Sequence, residues 1–197
     1  MTDERRNPWR LRARREAFRN PWISIEDHDV VTPSGGEGRY GVVRFANRAI
    51  GVLPIDAKGC TWLVGQWRYP LGRYSWELPE GGAPLTEDPL DGAKRELKEE
   101  TGLAAAGWEK FLEFDTSNCV ADERAVAFLA WDLTAGEAWP DETEDLQVRR
   151  VPFESVYEDV MAGRIEDGFT IAMVLKARAR ALQGRAPDAI SAVLKGS

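Results

Sequence analysis

Residues 81–103 constrain this chain more than any other stretch. Gly81 is followed after five residues by Glu87, after seven more by Arg95-Glu96-Leu97, and then by Glu99-Glu100, Gly102 and Leu103. Thr86 is a candidate N-cap before Pro89, and Gly102 stands where a left-handed C-cap is needed, so the spacing predicts a loop running into a helix over about 86–102. On that helix Glu96 and Glu100 are four apart and share a face, with Glu99 beside them and three from Glu96. Crowded carboxylates repel one another by a few tenths of a kcal/mol per pair, which a solvated helix tolerates. The same crowd of hard oxygen donors is what Mg²⁺ requires alongside substrate phosphates. An acidic helix alone reads as a solvated face; the full spaced pattern does not.

Position by position the stretch resembles the Nudix box, G-x5-E-x7-R-E-U-x-E-E-x-G-U with U aliphatic, and it matches at every defined position. At ordinary residue frequencies a chance match in a chain this size is well below about one in a million. The resemblance implies an α/β fold: a Nudix-type α/β/α sandwich with a mixed sheet, preceded by a small N-terminal β-sheet. It implies that Glu96, Glu99 and Glu100 are metal ligands, with Glu80 and Glu144 joining the set and Mg²⁺ as the metal, Mn²⁺ being the alternative. Arg95 is expected to hold one of these carboxylates through a bidentate pair, and Glu87 to brace the loop or the helix start. Gly81 and Gly82 are expected to let the backbone turn tightly beside metals and phosphates.

Flanking segments are similar to the ADP-ribose pyrophosphatase and nucleotide-sugar branch. Glu77-Leu78-Pro79-Glu80-Gly81-Gly82 resembles the lead into the box there, and Gln66-Trp67-Arg68-Tyr69-Pro70 resembles an upstream substrate-contacting strand, which makes Arg68 and Glu77 candidate substrate contacts. Residues 116–123 fall where that branch shows Ser-Pro-Gly before an acidic pair. The pair is present as Asp122-Glu123, adding Glu123 to the substrate candidates, but Asn118 replaces the proline, which favours a broader nucleoside diphosphate sugar hydrolase over a strict ADP-ribose enzyme. The acidic run Asp141-Glu142-Thr143-Glu144-Asp145 resembles the loop that supplies a catalytic glutamate.

The chemistry implied is metal-assisted attack of water on one phosphorus of a diphosphate, giving a nucleoside monophosphate and a sugar phosphate. Glu142 is the first choice for general base, with Glu123 and Glu144 as competitors, and Glu96, Glu100 and Arg95 complete the catalytic set. Two alternatives share the box: a nucleoside triphosphate pyrophosphohydrolase and a non-catalytic ligand sensor. A sensor usually goes with a damaged box, and this one is intact. Trp22, Tyr40, Trp67 and Trp76 could stack on a base, although such residues more often serve cores and interfaces. His28 lies in an expected strand and reads as structural or exposed.

At 197 residues with 43% hydrophobic content, the chain suits one main domain with extensions. The expected division is a basic, solvated arm over 1–20, a β-extension over 21–45, a catalytic domain over 46–185 and a tail over 186–197. Strands are expected near 49–55 and 60–66, joined by the hairpin connection Asp56-Ala57-Lys58-Gly59, and near 109–114, 124–129 and 147–151. Helices are expected near 153–162 and 167–183. A Gly/Pro-rich passage runs up to Gly82.

A net charge of −7 argues against broad nucleic-acid or anionic-membrane binding and against RNA 5′-end processing. Without a long apolar stretch, the expected compartment is the cytoplasm, with Cys60 and Cys119 as reduced thiols. The resemblance further implies a homodimer built through the 22–45 sheet, with a small-molecule nucleotide sugar as the substrate partner.

Overall fold

Within the Arg-rich start of the chain, residues 10–19 form a strand and not a frayed arm. Arg10–Arg19 forms β1, which runs antiparallel to β2 (Ile23–Val31), and β2 in turn pairs with β3 (Glu37–Phe45). Charge complementarity across the ladder explains the order. Arg15 donates to Asp29 at 2.8 Å and to Asp27 at 2.9 Å, Arg12 pairs with Glu37 at 2.8 Å, and Arg39 also closes on Asp27. Exposed pairs are individually weak, but a run of them adds to a row of backbone hydrogen bonds that already fixes the register. His28 sits within β2, its Nε2 at 3.0 Å from Glu26.

The structure is a computed structural model that describes residues 6–136 and 145–196. The chain divides into two units, the first running to Arg48 and including Asp115–Arg124. That second segment docks on β3: Val43 N donates to Val120 O at 2.8 Å, Phe45 N to Asp122 Oδ1 at 3.0 Å, and Arg44 Nη1 to Asp122 Oδ2 at 3.0 Å.

In the second unit, β4 (Asn47–Pro54) and β5 (Cys60–Arg68) lead to a short 3₁₀ turn at Tyr69–Leu71, then β6 (Arg73–Glu77) and β7 (Glu80–Pro84). Helix α1 (Pro89–Thr101) follows, then the strands β8 (Leu103–Asp115), β9 (Arg124–Ala135) and β10 (Gln147–Pro152), and finally α2 (Phe153–Met161), α3 (Gly168–Leu182) and α4 (Asp188–Lys195). The order β7-β4-β9-β8 makes a mixed sheet, with β4 and β9 parallel, and β10-β5-β6 makes a second sheet.

Strand alternation builds the two cores. Ile50 and Val52 on β4 face α1, joining Ala93, Leu97, Val126 and Phe128; Leu53 faces the opposite side with Phe169, Met173 and Ala177 of α3. Helices therefore cover both faces of the mixed sheet, the α/β/α sandwich. Gly51 marks how closely α3 approaches, since a Cβ there would stand 2.8 Å from Met173 Sδ.

Three local expectations are corrected. The Asp56-to-Gly59 segment is a tight turn, with Gly59 N donating to Asp56 O at 3.0 Å, but it passes the chain from one sheet to another instead of closing a hairpin. The Gly/Pro-rich passage contains β6 and β7; β7 is an edge strand, where glycine and proline are tolerated because one side of the ladder needs no partner. Residues 186–197 are not a simple tail, because α4 buries Ile190 and Leu194 in the main core.

Candidate active site

Local chemistry places α1. Asp88, not Thr86, is the N-cap: its side chain accepts from Leu90 N at 2.8 Å, and Pro89 fits the first turn, where no N–H is required. Gly102 closes the helix in the left-handed conformation at φ 71°, with its N–H on Lys98 O at 2.9 Å. Burying Ala93 and Leu97 against the sheet pulls the neighbouring Glu96 and Glu100 to the rim of the core, where they are only 8% and 5% exposed. Glu99, one residue off that stripe, keeps a side chain 41% exposed.

Each carboxylate has a separate local hold. Glu96 lies flat against the backbone of Gly81, occupying the space that a Cβ would fill. Gly81 is therefore required for close approach, and no positive φ is involved. Glu100 Oε2 accepts the backbone N–H of Glu80 at 3.0 Å, which ties the helix to the start of β7.

Arg95 was expected to grip one carboxylate with both arms and instead spreads its fork. Nη1 donates to Glu96 at 2.8 Å and to Glu99 at 3.0 Å, while Nη2 donates to Gly82 O at 2.8 Å and reaches Glu87 at 3.4 Å. Burial works against its charge, but Glu96 first, then Glu87 and Glu99, hold the guanidinium above its ordinary value. The loop and the acidic helix are fastened through this one cation.

Glu80 is strongly perturbed. Desolvation, with the nearby charges of Asp167 and Glu77, pushes its carboxyl well above the ordinary value, and Arg68 only partly offsets this. Two residues that the sequence reading did not single out, Asp167 and Thr170 of the α3 start, meet it there. Asp167 caps α3 by accepting from Thr170 N at 2.6 Å, and the Thr170 hydroxyl lies 3.5 Å from Glu80 Oε1. Their only sequence signal is Asp-x-x-Thr at a helix start, which cap chemistry alone explains.

Arg68 and Glu77, both substrate candidates, are partners of each other. Arg68 Nε donates to both Glu77 oxygens, at 2.9 and 3.0 Å, and Nη2 closes the fork; Glu77 is 3% exposed. Glu77 principally holds the Arg68 guanidinium above its ordinary value. Trp76 carries the Arg149 guanidinium over its ring at 4.0 Å, while Trp67 remains exposed. In the first unit Tyr40 donates its hydroxyl to Cys119 O at 2.6 Å, Trp22 is exposed, and Glu123 accepts from Thr116 Oγ1 at 2.7 Å. Glu142 and Glu144 lie outside the described residues.

Among the described residues, no three His, Cys, Asp or Glu side chains converge at metal-ligating spacing. Glu96 and Glu99 are turned toward Arg95, and Glu100 is bonded to the Glu80 backbone. The donor chemistry nevertheless suits a hard divalent cation. Glu80, Glu96, Glu99 and Glu100 are all carboxylates on one edge strand and one helix, and a cation would relieve the desolvated Glu80 beside Asp167. The Gly81 cradle already holds Glu96 without a competing side chain.

Comparison with known proteins places these features in context. Residues 46–169 match the NUDIX domain family, and residues 9–43 match the nucleoside diphosphate sugar hydrolase N-terminal domain. The chain is 33% identical to an ADP-ribose pyrophosphatase of Bacillus subtilis over 160 residues, covering 80% of this chain and 86% of that protein. It is 32% identical over 161 residues to an ADP-ribose pyrophosphatase of Mycobacterium tuberculosis, covering 80% and 77% respectively. A solved structure of an ADP compounds hydrolase superposes with a TM-score of 0.81 over 93% of this chain and 100% of the other at 19% identity, a likeness of fold.

Proposed function

The chain belongs to the Nudix hydrolase family, and from that premise we propose that it uses Mg²⁺ to hydrolyse the diphosphate bond of nucleoside diphosphate sugars such as ADP-ribose or GDP-mannose. The products are a nucleoside monophosphate and a sugar phosphate. The observation that carries the reading is the seating of Glu96 on Gly81, with Arg95 donating to it and the neighbouring Glu100 bonded to the Glu80 backbone.

The metal-holding residues in this reading are Glu96, Glu99 and Glu100, with Glu80 beside them and Glu144 from the acidic run. A bound divalent cation supplies charge neutralisation on the diphosphate and a more acidic water. The chain's own residues do the rest. Arg95 keeps Glu96 and Glu99 from swinging into solvent and fixes the Gly82 carbonyl. Arg68, held by buried Glu77, presents its remaining N–H groups to an anionic substrate at little cost in side-chain order. Glu142 takes the proton from the attacking water, a role assigned from its place in the acidic run, with Glu123 as the competing base and substrate contact.

The test is a hydrolysis panel of ADP-ribose, GDP-mannose, UDP-glucose and nucleoside triphosphates, with Mg²⁺, Mn²⁺ or excess EDTA, read by product analysis. Release of nucleoside monophosphate from the sugars, abolished by EDTA, is the expected result. Faster turnover of triphosphates would make the protein a triphosphate pyrophosphohydrolase, and full activity in EDTA would remove the metal from the reading.

We further propose a homodimer joined through the first-unit sheet. The match of residues 9–43 to the nucleoside diphosphate sugar hydrolase N-terminal domain supports it, as does the exposure of Trp9, Leu11, Phe18 and Trp22. A monomeric mass by light scattering at micromolar concentration would overturn it. Among the described residues no helix is long and apolar enough to cross a membrane.

A further inference from the structure

We infer that Thr170 is a positioning residue for the metal-holding carboxylates, acting from α3 on Glu80 and, through the Glu80 backbone, on Glu100. Thr170 is a polar side chain with no solvent exposure at all. Its hydroxyl accepts the backbone N–H of Leu78 at 2.9 Å and is free to donate to Glu80 Oε1, 3.5 Å away. One hydroxyl thus bridges the backbone just before β7 and the first side chain of β7.

The connection continues in both directions. Behind Thr170, Asp167 accepts its N–H at 2.6 Å as the α3 cap, and neighbouring Glu166 pairs with Arg73 on β6. Ahead of it, Glu80 N donates to Glu100 Oε2 at 3.0 Å. The helix start is therefore anchored, Thr170 fixes Leu78 and Glu80 relative to it, and Glu80 fixes the Glu100 carboxylate. Were burial the only demand at position 170, valine, which has the same shape and no hydroxyl, would serve as well as threonine; the hydroxyl is what sets the two apart. Oxygen ligands are oriented by the hydrogen bonds behind them, and disturbing such partners typically weakens metal affinity or activity by about 10- to 100-fold.

The inference rests on the reading of Glu80 and Glu100 as metal-holding, and the experiment separates the two. Full-length wild type, Thr170→Val, Thr170→Ser and Glu100→Gln are titrated with Mg²⁺ alone by calorimetry, and kcat and KM are then measured for ADP-ribose at saturating Mg²⁺. Thr170→Val is expected to weaken Mg²⁺ binding by about 10-fold or more and lower kcat, with KM changed less than about 2-fold. Thr170→Ser, which keeps the hydroxyl, is expected to bind Mg²⁺ within about 3-fold of wild type.

Wild-type Mg²⁺ binding in Thr170→Val overturns the inference, as does equal weakening in the valine and serine variants. Should the valine variant not fold, Thr170→Cys carries the same expectation, since a thiol of similar size is a poor acceptor and donor. If Glu100→Gln binds Mg²⁺ as wild type does, the functional reading of the site fails. If Glu100→Gln loses Mg²⁺ and the Thr170 variants do not, only the present inference fails.

Discussion

The carboxylate of Glu96 rests on the backbone of Gly81, in the space that any other residue at position 81 would need for its Cβ. The two residues are fifteen apart in sequence and meet because β7 and α1 pack edge to edge, with Gly92 of α1 approaching Ala83 of β7 so closely that a Cβ on Gly92 would lie 2.8 Å from the Ala83 Cβ.

Gly81→Ala therefore displaces the Glu96 carboxylate. Backbone strain is not the cause, because Gly81 does not have a positive φ. A shift of about 1 Å in a reacting constellation costs roughly 10²-fold in rate, and kcat of this variant is expected to fall by about that amount. Steady-state kinetics against a thermal melt checks it: turnover near that of wild type in a folded Gly81→Ala protein would show that Glu96 is free to move.

Glu100→Gln keeps an oxygen for the Glu80 N–H, so the link between β7 and α1 survives while one negative charge is lost. The expected result is a protein with near-normal melting temperature and turnover lowered roughly 10²- to 10³-fold. A collapse of the fold would instead place Glu100 among purely structural residues.

Arg95→Lys preserves charge but removes the fork that reaches Glu96, Glu99, Glu87 and the Gly82 carbonyl at once. An ammonium satisfies fewer of these from one position, so kcat/KM is expected to drop about 10-fold or more despite the conserved charge. Restored activity at high Mg²⁺ would show that the loss lies in carboxylate positioning and not in substrate contact.

Acid should loosen the first-unit sheet. Arg39 first, then Arg15, pull the Asp27 carboxyl from 3.8 down to about 2. Because the folded value is depressed, the stabilisation is fully present above the unfolded value near 3.8 and is lost as pH falls through about 2. Protection of the β1 and β2 amides, as exchange relative to the intrinsic rate at each pH, is expected to fall across that window, and Asp27→Asn should show the lower protection already at neutral pH.

Glu142→Gln is expected to cut turnover about 10²-fold or more with Mg²⁺ affinity and KM little changed, as loss of a general base should. Should Glu123→Gln or Glu144→Gln lose turnover while Glu142→Gln does not, the base is that residue.

The box spacing alone predicted α1, its Gly102 stop and the shared rim of Glu96 and Glu100, because 3.6-residue periodicity and cap chemistry are local. The strands at 49–55, 60–66 and 147–151 were legible for the same reason, from apolar patterning between turn residues. What lay beyond the sequence depends on partners distant along the chain. The basic segment Arg10–Arg19 reads as a solvated arm until Asp27, Asp29 and Glu37 supply its counter-charges across the ladder. β7 reads as a breaker-rich loop until β4 offers it an edge. Arg68 and Glu77 read as two separate substrate candidates in the sequence; that they form one ion pair is visible only once β5 and β6 lie side by side. Thr170 shows the limit most clearly: ninety residues separate it from Glu80, and nothing local marks its hydroxyl as more than part of a helix start. Only packing of α3 against the start of β7, where a buried N–H and a half-buried carboxylate both need a partner, gives that hydroxyl its place.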